Sequence, residues 1–208
     1  MLSRIGALVL ALAAAPAHAE VVAVSEGGFV IRQAADVSAS VDESWAQLVK
    51  PGAWWSSKHT YSGDAANLSI DARAGGCFCE VLPSSVSPRA APRGSVEHMH
   101  VLYAESPRVL RLSGALGPLQ AEAAQGTLTI ALKPLDGGGA RIMWEYVVGG
   151  YMRQKTDQMA PIVDAVLGEQ LSRLAVKLGP KTAPRPEARP APVAPVGPPK
   201  PRKPLEGR

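Results

Sequence analysis

From residue 67 to residue 148 the chain alternates apolar and polar residues in short runs, and over 156–178 the apolar spacing changes to that of a single long helix. Alternation puts apolar side chains on one face of a strand, and a helical stripe puts them along one side of a helix. The runs at 67–71, 77–82, 96–104, 109–113, 127–132 and 141–148 therefore read as strands of one sheet with a face to cover. Asp136-Gly137-Gly138-Gly139 supplies a hairpin turn, Ser106-Pro107 another, and Gly149-Gly150 ends the series. The helix carries Val163, Val166, Leu167, Gln170, Leu171, Leu174 and Leu178 on its stripe, with Glu169, Arg173 and Lys177 off it. Gly179-Pro180 stops it. It is the only large amphipathic element available to cover the sheet. Antiparallel strands beside a segregated helix make an α+β domain. The helix should cross the concave side and leave an apolar pocket between the two.

The chain before residue 67 adds one strand, one helix and an export signal. The domain opens with residues 21–32, whose second half, Phe29-Val30-Ile31-Arg32, is β-prone and reads as the opening strand. Ser40 followed three residues later by Glu43 is a capping box, and Val41, Trp45, Leu48 and Val49 then share one helical face. Pro51-Gly52 ends that helix, and Trp54-Trp55 follows in a short turn. Residues 1–19 have the form of a signal peptide: Arg4, an apolar run over 5–15, and Ala17-His18-Ala19 ahead of Glu20. The run is shorter than the roughly 20 apolar residues that span a bilayer. The expectation is a periplasmic protein with one domain over 20–179 and no transmembrane span. Residues 180–208 form a Pro-rich basic tail, extended and disordered, which offers weak surface attachment through its charge. Of the formal +4, the tail carries +5 and Arg4 one more, which leaves the domain near −2. That balance gives no basic patch for nucleic acid.

The order strand, short helices, sheet, long helix is similar to the helix-grip fold of the START/Bet-v-type (SRPBCC) superfamily. Local stretches carry the same resemblance, to a bacterial exported branch. They are Trp54-Trp55 followed by His59-Thr60-Tyr61-Ser62-Gly63-Asp64, then Gly75-Gly76-Cys77-Phe78-Cys79-Glu80, then Leu110 to Gln120, and Val148-Gly149-Gly150-Tyr151. The resemblance implies a curved antiparallel sheet wrapped round the C-terminal helix. The superfamily holds lipid carriers, polyketide cyclases and chaperone activators, so it implies no single activity.

Four groups of residues carry candidate chemistry. Glu80 and Glu97 lie on neighbouring strands, and a constant pairing across them makes the two carboxylates face each other, with Phe78 opposite Met99. Two carboxylates that close share a proton near neutral pH. The same register sets Cys77 opposite His100 and Cys79 opposite His98. The expectation there is two free thiols on a sheet face rather than a zinc site, with a Cys77–Cys79 disulfide as a further reading. His59 and Tyr61, near Asp64 and Asn67, fall beside the tryptophan turn, at the rim of a helix-grip cavity. Trp54, Phe78, Met99, Tyr103, Trp144 and Tyr146 supply an apolar lining with polar handles.

These residues point to a binding protein for a small hydrophobic or amphipathic molecule. A cyclase- or isomerase-type enzyme using Glu80 or Glu97, with His59 or Tyr103 as partner, is the second reading, and an envelope protein-interaction module the third. No triad order, phosphate-binding glycine loop or metalloprotease helix is present, and nothing in the motifs calls for a cofactor.

Overall fold

The structure, a computed structural model, describes residues 18–84 and 92–181. Eight strands form one antiparallel sheet: β1 (His18–Ser25), β2 (Gly28–Val37), β3 (Leu68–Ile70), β4 (Cys77–Leu82), β5 (Gly94–Glu105), β6 (Val109–Ser113), β7 (Ala123–Pro134) and β8 (Ala140–Tyr151). Their order in space is β1-β2-β8-β7-β6-β5-β4-β3. Strands β3 to β8 thus form a continuous meander, and the β1–β2 hairpin joins it at β8. Helix α1 (Val41–Leu48) and three short 3-10 turns lie between β2 and β3, and α2 (Thr156–Leu178) follows the sheet.

The α+β helix-grip architecture holds. The inner face of the curved sheet, with Ile31, Leu112, Ile130 and Ile142 buried, packs with Val163, Leu167, Leu171 and Leu174 of α2 in one core. Each such aliphatic side chain, fully buried, contributes about 1.5–3 kcal/mol. The capping box of α1 forms as read: the Glu43 N–H donates to Ser40 Oγ, and the Ser40 N–H donates to the Glu43 carboxylate at 2.8 Å. The end of α2 is clamped to the end of β2. Ser38 N–H donates to Gly179 O and Lys181 N–H to Asp36 O, and Asp36 takes a bidentate pair from Arg141 at 2.7 and 2.8 Å.

Three local readings need correction. Residues 21–32 are not one strand but the two arms of the β1–β2 hairpin, with Glu26 and Gly27 at the turn. Strand β8 does not stop at Gly149-Gly150 but pairs with β7 as far as Tyr151, opposite Ala123. The third correction bears on the site. Cys77 faces His100 and Phe78 faces Met99, but a β-bulge then shifts the register, so that Cys79 faces Glu97 and Glu80 faces Val96. His98 is the extra residue on β5, and it and Met99 are both buried. The expected signal as far as residue 17, residues 85–91 and the expected tail from 182 lie outside the described residues. Among the described residues no helix is long and apolar enough to cross a membrane.

Candidate functional site

The site is built where the bulge turns His98 inward. Glu80 is fully buried, and its carboxylate accepts three hydrogen bonds: from the backbone N–H of Tyr61 at 3.0 Å, from the N–H of Ser62, and from His98 Nε2 at 3.0 Å. Burial alone pushes this carboxyl up, but the hydrogen bonds from Ser62, Tyr61 and His98 together outweigh it and hold Glu80 below the usual carboxylate range. Glu80 is therefore the charged member of the pair. Burial holds His98 below its ordinary value against the pull of Glu80, so the imidazole is neutral. A neutral ring beside a carboxylate carries its proton on the nitrogen facing it, here Nε2. Nδ1 is then left as a lone-pair acceptor.

His98 also forms part of a pocket of about 380 Å³. Leu116, Gly117 and Pro118 make one wall, Ile162, Val163, Val166 and Leu167 of α2 another, and Trp55 with Lys58, His59, Thr60 and Tyr61 the third. The lip is open: Ile162 and Tyr61 are each more than half exposed.

Each wall is tied down. Helix α2 grips the segment that begins at Trp54. Gln170, fully buried, accepts from Ser56 N–H at 2.8 Å, and Arg173 Nε donates to Trp54 O at 2.8 Å. His59 Nε2 lies 3.0 Å from the Glu169 carboxylate, which the Ser56 hydroxyl and His59 hold below the usual range. The opposite wall hangs from Tyr146, whose hydroxyl accepts from Leu116 N–H and donates to Gly114 O. Burial pushes that hydroxyl up to about 12, so it stays protonated. The ring reaches this position across Gly126, where a Cβ would lie 2.4 Å from it.

The residues expected at the site fall into three groups. His59 and Tyr61 line the pocket, and Glu80 lies beneath it through His98. Trp54, Phe78, Met99, Trp144 and Tyr146 are packed in the core. The Phe78 ring contacts Trp55 and His98, with centroids 5.4 and 5.1 Å apart. Glu97 and Tyr103 lie outside: their side chains are turned to solvent, Glu97 is 60% exposed, and Tyr103 donates to Glu105. The paired-carboxylate reading fails because the bulge sends Glu80 and Glu97 to opposite faces. It also separates His98 from His100, and Cys77 and Cys79 are bonded to each other. The four residues therefore do not converge as a zinc set would require. Asp64 accepts from Ala66 N–H and Asn67 donates to Ser62 Oγ, so both shape the turn rather than the pocket. Beyond Trp55, His98 and Ile162, the pocket residues not foreseen are Lys58, Thr60 and the 116–118 wall. A helix stripe and a strand alternation carry no signal for either.

No protein-family model matches the chain, and no curated protein matches it. Solved structures do. A protein from Rhodobacter sphaeroides is 20% identical, with 77% of this chain and 98% of that one covered at a TM-score of 0.47. CalU16 from Micromonospora echinospora is 19% identical, with 78% and 84% covered at 0.47. A conserved protein of unknown function from Enterococcus faecalis is 12% identical, with 83% and 82% covered at 0.49. The helix-grip description rests on this chain's own strand order and long C-terminal helix.

Proposed function

We propose that this chain is an exported binding protein for one small apolar or amphipathic molecule, held between α2, the 58–61 segment and the 116–118 loop. A resemblance to the SRPBCC superfamily supports the same reading. The observation that carries it is the composition of the pocket. Aliphatic side chains and one tryptophan make most of the wall, and the polar side chains are those of Lys58, His59, Thr60, Tyr61 and His98, four of them on the 58–61 segment. That is the pattern of a site that takes an apolar body and orients one polar end. The signal over residues 1–19 directs the chain to the periplasm, and the basic tail holds it loosely to an anionic surface.

Native mass spectrometry of the mature protein, with solvent extraction of what co-purifies, tests this. A hydrophobic or amphipathic adduct near one per chain is expected, and Ile162→Asp at the lip should lower its occupancy about tenfold, roughly 1.4 kcal/mol. A chain that retains neither adduct nor an added apolar dye rules the reading out.

One observation favours a second reading, proton transfer of the isomerase or cyclase kind. His98 is a neutral imidazole at the pocket, with a buried carboxylate fixing its tautomer, the arrangement of an oriented general base. Glu80 then positions His98, and Glu97 has no part. Turnover that survives His98→Gln would eliminate this mechanism.

A further inference from the structure

The bulge that builds the pocket also builds a second arrangement on the outer face of the sheet. Along β4, Phe78 and Glu80 point inward and are buried, while Cys77 and Cys79 are half-buried and Val81 is exposed on the other side. On β5, His100 is the register partner of Cys77 and Glu97 that of Cys79. Opposed residues share a face, with Cβ atoms about 5 Å apart. His100 Nδ1 lies 3.4 Å from Glu97 Oε1, and both side chains are largely open to solvent. One patch therefore holds the Cys77–Cys79 disulfide, a histidine on the residue opposite Cys77, and a carboxylate that pairs with its imidazole.

This disulfide does little as a staple. Its cysteines are two residues apart, and a bond that closes so short a loop removes little freedom from the unfolded chain. The β3–β4–β5 ladder already holds both positions. A bond with little structural effect, only half-buried on the outer face and with a histidine as register partner of one cysteine, has the form of a reactive disulfide.

We propose that Cys77–Cys79 is a redox-active disulfide that exchanges with external thiols, with His100 as the proton donor to the leaving sulfur. An incoming thiolate attacks Cys79 Sγ. The new bond is a mixed disulfide at Cys79, and the bond broken is Cys77–Cys79. Cys77 leaves as a thiolate and takes a proton from His100. A second external thiolate then attacks the external sulfur of the mixed disulfide and releases Cys79 as a thiolate, which takes a proton from solvent. Two thiols are oxidised to one disulfide, and the cysteine pair takes up two electrons and two protons. His100 sits opposite Cys77 rather than Cys79, and that placement sets which sulfur leaves.

The test uses the full mature chain, purified without reductant and equilibrated in mixtures of reduced and oxidised glutathione. Free thiols are alkylated and counted by mass. The cysteine pair should pass from oxidised to reduced across the glutathione range while circular dichroism stays native. His100→Ala should slow reduction about tenfold, because the leaving thiolate loses its proton donor. Cys77→Ser given oxidised glutathione should carry one glutathione on Cys79. A bond that opens only when urea unfolds the protein overturns the proposal. A reduction rate unchanged in His100→Ala, or no adduct on Cys79, does the same.

Discussion

Glu80 shows how one buried carboxylate organises its surroundings. It closes the backbone N–H groups of Tyr61 and Ser62 and fixes the ring of His98, so a single side chain sets both a pocket wall and the tautomer within it. Glu80→Gln brings an amide N–H where acceptors are needed and should destabilise the fold by about 2–3 kcal/mol, read from urea unfolding. The pH response follows from the two shifts. His98 is depressed below its ordinary 6.5, so the unfolded chain takes up a proton first, and stability should begin to fall as pH drops through 6.5. Glu80 is depressed below its ordinary 4.5; its contribution is complete above that value and is lost as pH falls through the lower folded value. His98→Gln should remove the upper part of this profile and leave the lower part. Neither residue's role was legible in the sequence. Alternation along 96–104 gives every second residue to one face, and one extra residue in the ladder reverses the assignment at His98 and toward the start of β5, while Met99 and His100 keep theirs.

At the scale of elements, α2 acts as a clamp as well as a core helix. In the sequence Gln170 falls on the apolar stripe, and Glu169 and Arg173 belong to the polar series off it. In the fold these three side chains reach the segment from Trp54 to His59. Gln170→Leu should leave α2 in place but free Ser56 N–H, at a cost of about 1–3 kcal/mol. Hydrogen exchange should then quicken at residues 54–61 before it does in the strands. On the other wall, Gly126→Ala should push the Tyr146 ring off its seat and release Leu116 N–H, for about 1–3 kcal/mol, with weaker retention of an apolar dye. The bounds of α2 were fully legible, because a long period and a Gly-Pro stop agree. So were the capping box of α1 and the β7–β8 turn. The β1–β2 hairpin was not: Val21-Val22-Ala23-Val24 is apolar throughout, which hides where one strand ends and the next begins.

For the whole molecule, the decisive feature is that the chain closes on itself at one end of α2 and opens at the other. The closure joins Val37 to Pro180, Asp36 to Arg141 and Lys181, and Lys181 Nζ to Gly138 O. A chain ending at Lys181 should unfold at the same urea concentration as the full protein. One ending at Leu178 loses the acceptor of Ser38 and the bridge at Val37, and should be about 1–2 kcal/mol less stable. The α+β architecture could be read from the change of period alone. The place of the pocket could not, because it depends on loops and on a register shift that pattern does not encode.

The exit point of the chain lies roughly 22 Å along α2 from the pocket-lining Val163, at 1.5 Å per residue. Because Lys181 is held there at both its N–H and its ammonium, the direction of departure is set by the fold. Coupling a chain that ends at Lys181 through its last residue, to a sensor chip or to a fused reporter, would therefore present the copies with the mouth turned away from the support.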